Sequence, residues 1–304
     1  MTTAETFADA VGPAARTLAP SRRGRLLRRF LSNRLAVAGT ALLIFVVVVA
    51  VFAPLLAPHE PNHQDLIARL QRPGSEGHLL GTDQFGRDVL SRLMYGTRVS
   101  LLAALEAVAV AVVLGVPLGM FAGSASRRAD QVLTWFNDAL MSVPALILAL
   151  TIVAVLGPGS LTNAMVAVGV VTAPRFFRVA RAATQNVRNE TFIEASRAIG
   201  CRRYRILGWH VLPNALTPLT IQAALTLGAA VVAEASLSFL GFGVRPPTAS
   251  WGSMLNDAYV NLSLAPYLVY VPGITIAVVV LAFTLVGDGL RDALGTRTKP
   301  GSDG

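Results

Sequence analysis

Residues 35–57 read LAVAGTALLIFVVVVAVFAPLLA, 23 residues without a charged side chain. A helix rises about 1.5 Å per residue, so a run of ~20 residues crosses a hydrocarbon core ~30 Å thick. Further apolar runs cover Val99–Gly123, Val132–Leu156, Leu161–Phe177, Leu212–Phe239 and Leu264–Val286. Composition agrees with them. Only 14% of the 304 residues are charged and the mean hydropathy is +0.57, whereas a soluble domain carries about 25% charged residues. The expected fold class is all-α, a polytopic membrane protein with six transmembrane helices.

The formal charge of +9 would suggest nucleic acid in a soluble protein, but its placement gives another reading. Arg/Lys-rich flanks face the cytoplasm. Seven arginines precede the first run (Arg16, Arg22, Arg23, Arg25, Arg28, Arg29 and Arg34), and Arg127 and Arg128 separate the second from the third. Arg175, Arg178, Arg181, Arg188, Arg197, Arg202, Arg203 and Arg205 stand around the junction of the fourth and fifth, and Arg291, Arg297 and Lys299 follow the last. In residues 58–98, by contrast, five arginines are balanced by five acids, and 241–263 holds one of each, Arg245 and Asp257. Both termini are therefore expected in the cytoplasm, and nucleic acid is not an expected partner. The first run is too long for the apolar region of a signal peptide and should remain as an anchor.

The chain divides into a basic tail (1–33), a first transmembrane helix (34–57), an extracytoplasmic loop (58–98), a core of five further transmembrane helices (99–290) and a cytoplasmic tail (291–304). The first tail is expected to end in a basic helix lying on anionic membrane lipid. His59, His63 and His78 are scattered through the outer loop without i, i+4 spacing or a nearby cysteine, so a solvated loop is expected and no metal site. Asp83 and Asp88 flank Gly86 without the alternating ligands of a calcium loop. The single Cys201 excludes an internal disulfide. Gly115, Gly119 and Gly123 recur at i, i+4, i+8, a face of small residues suited to close helix packing.

The most informative segment joins the fourth and fifth runs, RNETFIEASRAIGCRRYRILGWHVLPN from Arg188 to Asn214. Thr191 and Glu194 have capping-box spacing, and Gly200 supplies a left-handed helix stop. Phe192, Ala195 and Ile199 fall on one face, and Pro213 is expected to close the segment. A short, sharply bounded helix in a cytoplasmic loop follows. Such a helix either lies on lipid or docks a soluble partner.

This segment resembles the EAA loop of bacterial ABC importer permeases: Glu-Ala-Ala, three residues, Gly, nine residues, then an apolar residue, any residue, Leu and Pro. It stands here as Glu194-Ala195-Ser196, Gly200 and His210-Val-Leu212-Pro213, with Ser196 for the second Ala and His210 in the apolar place. Gly81-Thr-Asp-Gln-Phe-Gly-Arg-Asp88, continuing through Ser91-Arg92 to Tyr95-Gly96, resembles the approach to the second span in dipeptide/oligopeptide/nickel permeases. Leu237-Ser-Phe-Leu-Gly241-Phe-Gly243, with Pro246-Pro247 and Ser250-Trp251-Gly252, resembles the last outer loop of their C-type subunit.

The resemblance covers roughly residues 28–295 and implies a type I ABC importer permease fold in the bacterial inner membrane. It also implies a homologous B-type permease as heterodimer partner, two ABC ATPase subunits and an extracytoplasmic substrate-binding protein. Peptides are the implied substrate, with nickel, glutathione or another small solute as alternatives. The sequence has no G-x-x-x-x-G-K-[ST] phosphate loop, so no cofactor is expected in this chain; ATP and Mg2+ belong to the partner ATPases, and the chain is not expected to be an enzyme. The coupling residues implied by the EAA pattern are Thr191, Phe192, Glu194, Ala195, Ser196, Ile199, Gly200, His210, Leu212 and Pro213. Glu194 either caps its own helix or meets the ATPase.

Three acids fall in or near the apolar runs: Glu106, Asp138 and Glu234. A carboxylate at a helix centre costs ~2.5–3.5 kcal/mol on insertion scales, so such groups face protein or water. Either they line the translocation path or they pair structurally. A secondary transporter or channel without ATPase partners would also carry Arg-rich inner loops, but the paired half-helices or filter loop of those classes are not evident.

Overall fold

The computed structural model describes residues 22–188 and 190–295; the tails 1–21 and 296–304, expected in the cytoplasm, lie outside the described residues. The described chain is helical, with two isolated β-bridges in the outer loop and no strand. Its helices are α1 (Arg22–Ser32), α2 (Arg34–Leu56), α3 (Val89–Ser124), α4 (Arg127–Ser142), α5 (Ala145–Leu156), α6 (Leu161–Val187), α7 (Thr191–Ala198), α8 (Arg203–Ile206), α9 (Leu212–Phe239), α10 (Trp251–Val260) and α11 (Tyr267–Ala293).

The basic helix expected before the first span is α1. It ends at Asn33, whose side-chain oxygen accepts the Leu35 and Ala36 N–H groups and so starts α2. The second span begins at Val89 rather than Val99, because Asp88 caps α3 by accepting the Ser91 N–H at 2.8 Å. Hydropathy misses this first stretch of α3, which carries Ser91, Arg92 and Arg98.

By length and apolar character, four helices are able to cross a bilayer: α2, α3, the continuous Arg203–Phe239 helix and α11. A fifth exists if α4 and α5, bent by 95° at their junction, are one broken span. This falls short of the six expected. The missing one is α6, whose second half carries Arg175, Arg178 and Arg181.

Packing decides what the bent pair is. Along α3 and α6 the facing residues advance together, Gly115 against Ala173 and Phe176, Gly119 against Phe177 and Ala180, Gly123 against Arg181 and Thr184. The two helices are parallel, so the chain between them must return the full length of the bundle. It does so along α6: Asp130 meets Arg181 and Gln185, Asp138 meets Arg178, and Leu156 accepts a bond from Asn163. The pair is thus a broken pass and not a re-entrant loop. Pro144, without an N–H to donate, stands at the break as the residue before α5.

The glycine stripe packs as expected. A Cβ added at Gly115, Gly119 or Gly123 would fall on the carbonyls of Ala173, Phe177 or Arg181, so these glycines allow the backbones of α3 and α6 to touch. The core centres on this contact, with Ala103, Ala107, Ala111, Met165, Phe176 and Val231 among its buried residues. On the other flank α11 packs against α2 and α9.

Candidate functional site

The expected short helix is present as α7. The Glu190 carbonyl accepts the N–H groups of Ile193 and Glu194, so Glu190 holds the cap position and Thr191 is the first helical residue. The expected capping box is therefore displaced: neither the Thr191 nor the Glu194 side chain bonds to another described residue, and both are exposed. The stop is as expected. Gly200 has φ +81° and the Cys201 N–H bonds to the Ser196 carbonyl at 3.0 Å, the long bond of a Schellman motif. Ser196 adds a bond from its hydroxyl to the Phe192 carbonyl at 2.7 Å.

The apolar stripe faces outward. Phe192 is 43% exposed and Ile199 81%, and Ala195 between them is also open. What fixes α7 to the body is Ile193, which is fully buried in the main core. The stripe expected from helical spacing did not include it, since one inward residue on an eight-residue helix leaves no period to read. Behind Ile193 lies a cavity of about 360 Å³ lined by Thr184, Arg188, Cys201, Arg203, Leu207 and Val211, among others.

The second half of the motif is built differently from expectation. Pro213 is exposed in the first turn of α9, where the fifth span was expected to begin, but no break precedes it: one helix runs from Arg203 to Phe239. Residues Leu207–Val211 form a π-helical turn in which the Leu212 N–H reaches the Leu207 carbonyl. A proline deprives the preceding turn of a donor and crowds its carbonyl, and a local π turn absorbs such a defect without ending the helix. His210 and Leu212 are half-buried, and the His210 ring sits 6.2 Å from the Phe192 ring, joining the two halves of the motif. Tyr204 and Trp209 are exposed large side chains on the same stretch, and sequence reasoning passed over both because neither belongs to the motif.

The three acids do not form one site. Glu234 is completely buried, and its two oxygens accept the hydroxyls of Ser100 (2.9 Å) and Ser238 (2.7 Å). Ser100 also accepts the Trp251 backbone N–H, so the group ties α3, α9 and α10 together. Asp138 is exposed and paired with Arg178 at 2.8 Å. Glu106 is half-buried on α3 and bonds to no other described residue. It lies six residues beyond Ser100, ~9 Å along the helix axis.

At the opposite end of α3 the outer loop is a dense polar structure. Arg87 donates to Asp83 at 2.6 Å and lies 3.4 Å from Asp257 on α10; Arg92 approaches Asp83 at 3.5 Å and the Pro247 carbonyl at 3.2 Å. Both guanidinium groups are buried. Burial pushes the Asp257 carboxyl above the usual carboxylate range, against the pull of Arg92 and Arg87. In the same loop His59, which is exposed, and His78, which is half-buried, converge on Asp88.

Comparison with known proteins places this architecture. Residues 115–300 match a family model described as a binding-protein-dependent transport system inner membrane component, and residues 21–73 match the N-terminal transmembrane domain of oligopeptide transport permease C. The dipeptide transport system permease protein DppC of Alkalihalophilus pseudofirmus is 41% identical over 267 residues, covering 88% of this chain and 87% of that protein. The glutathione transport system permease protein GsiD of Pectobacterium atrosepticum is 37% identical, covering 90% of each. Among solved structures, a chain of the MetNI methionine ABC transporter matches with a TM-score of 0.55 at 22% identity, over 69% of this chain and 97% of that one; at that identity the likeness concerns the fold, that of a type I ABC importer permease. The chain belongs to the family of binding-protein-dependent transport system inner membrane components, as a permease subunit of the C type.

Proposed function

We propose that this chain forms half of a peptide translocation path and is driven by two ABC ATPase subunits that grip α7. Its other half would be a homologous B-type permease, and an extracytoplasmic binding protein would deliver the substrate. Both termini and α7 lie in the cytoplasm on this reading, with residues 57–88 and 240–266 outside. The charge asymmetry of the loops supports that orientation. Dipeptides and short oligopeptides are the proposed cargo, since relatives at about 40% identity over most of their length are dipeptide and di/tripeptide permeases. ATP and Mg2+ stay in the partner subunits; this chain moves and does not hydrolyse.

The observation that carries the docking reading is the form of α7. It is a short helix stopped by a Schellman turn and pinned by Ile193, and it presents Phe192 and Ile199 outward. An element that transmits motion must neither fray nor bend, and its apolar face must meet something. Glu194, exposed beside that face, is a polar contact for the ATPase and not a cap of its own helix. Of the three acids, Glu106 is the one we assign to the path, because the oxygens of Glu234 and Asp138 are engaged within the chain.

The test is Gly200→Val in vesicles reconstituted with all partner subunits. A β-branched residue at φ +81° strains the stop of α7. Uptake of a labelled dipeptide driven by ATP should fall at least ~10-fold while membrane insertion is unchanged. Normal uptake in that variant would end the docking reading. Wild-type vesicles that concentrate glutathione or Ni2+ but no dipeptide would leave the coupling intact and replace the cargo.

A further inference from the structure

The histidines of the outer loop are far apart in sequence, yet the fold brings two of them to one carboxylate. His78 Nδ1 lies 2.9 Å and His59 Nδ1 3.9 Å from the same Asp88 oxygen, Oδ1, and the two rings are 4.8 Å apart. One donor atom from each of the three residues falls within 4.8 Å of the others. We propose that His59, His78 and Asp88 bind one divalent transition-metal cation of the Zn2+ class at the base of the outer loop.

Four features support the assignment. Two imidazoles and a carboxylate are the donor set that Zn2+, Co2+ and Ni2+ prefer, whereas Mg2+ and Ca2+ call for oxygen alone. Donors held ~2.0–2.1 Å from a tetrahedral metal stand about 3.3–3.5 Å apart; the two histidine-to-carboxylate distances, 2.9 and 3.9 Å, bracket that spacing, and all three donor pairs fall within 4.8 Å. A hydrogen bond from His78 to Asp88 would account for one ring, but not for His59, whose nitrogen turns to the same oxygen from beyond bonding distance. Exposure is graded as an open site requires: the side chains of Asp88, His78 and His59 are 0%, 16% and 40% exposed, which leaves one side for water.

The surroundings hold the donors independently of any ion. Asp88 Oδ2 is occupied by the Ser91 backbone N–H at 2.8 Å, which orients Oδ1 toward the histidines; the His59 backbone N–H donates to Ser91 Oγ at 3.1 Å and so holds the main chain of that residue. Such outer bonds are what fix the ligands of a metal site. An ion there would join the exit of α2 to the first turn of α3. The cluster lies at the far end of α3 from α7, ~50 Å along its axis, so the assignment does not depend on the coupling reading.

The experiment uses the full chain purified in detergent without a polyhistidine tag, stripped with a chelator. Titration with Zn2+ by calorimetry, and with Co2+ by its visible spectrum, should give one ion per chain. His59→Ala, an exposed position that the fold tolerates, should weaken Zn2+ binding at least ~10-fold, the scale expected when a site loses a supporting group. His78→Gln should do the same, and His63→Ala and His210→Ala should leave binding unchanged. Zn2+ should raise the Tm of the wild type but not of His59→Ala. Absence of stoichiometric binding, wild-type affinity in His59→Ala, or an equal loss in His63→Ala would each overturn the assignment.

Discussion

The outer loop and the α7 segment both connect long helices, but they are held by opposite means. In the loop, Arg87 and Arg92 are buried among Asp83, Asp257 and backbone carbonyls, and their charges are met within the chain. Within α7 itself Ile193 is the residue that reaches the core, a cavity of about 360 Å³ lies behind it, and large apolar groups face out. The polar core of the loop is finished as it stands, although Leu66, Ile67 and Leu79 face outward. The α7 segment is stable as a helix but leaves Phe192 and Ile199 uncovered, which is the condition the proposed docking requires. Local stability of the two should differ accordingly, because regions with few buried contacts open most readily.

The contrast is broken most forcefully at Arg87. Truncating one member of a buried ion cluster leaves the others charged and unpaired, which costs ~3–5 kcal/mol. Arg87→Ala should therefore lower the unfolding midpoint of the detergent-solubilised chain by more than any variant in α7. A midpoint within a degree of wild type would mean that the cluster is hydrated and that the loop is no more finished than α7.

Ile193→Ala probes the other side. An isoleucine truncated in a packed core costs ~2–5 kcal/mol, and the cavity already present places this site at the lower end, about 2 kcal/mol. Because Ile193 is the buried residue of α7, the loss should be local: amide exchange in residues 190–200 should speed up while the outer loop stays protected. Equal acceleration in both regions would erase the distinction between them.

How much of this was legible in the sequence follows the same division. The α7 stop was readable because Gly200 acts within one turn, and the Gly115/Gly119/Gly123 stripe because a small face repeats with the helical period. The broken pass at Pro144 was read as a single run, since hydropathy averages over a bend and only the parallel packing of α3 and α6 shows the return. α6 fell short of a membrane span by composition because its arginines lie where Asp130 and Asp138 meet them. The meeting of His59 and His78 at Asp88 had no sequence signal at all: the spacings of 29 and 10 residues match no local motif. Pro213 does mark the start of α9, but the helix runs on before it through a π turn, which a local proline signal does not reveal.

The subtlest expectation concerns Ile199, whose side chain is 81% exposed and touches little of its own chain. Surface substitutions away from special features stay within about ±0.5 kcal/mol, so Ile199→Ser should leave the unfolding midpoint of the isolated chain unchanged. If α7 were only a lipid-lying helix, one lost apolar contact would alter membrane association slightly and the partner subunits not at all. If it docks in an ATPase groove, Ile199 sits where a buried anchor would sit, and truncating such an anchor commonly costs more than 1 kcal/mol of binding, a factor of roughly five or more. Co-purification of the ATPase subunits should then fall while the permease itself stays intact. The smallest effect on stability thus becomes the sharpest measure of function, because a residue that does nothing for its own fold and much for assembly is the signature of a surface made for another protein.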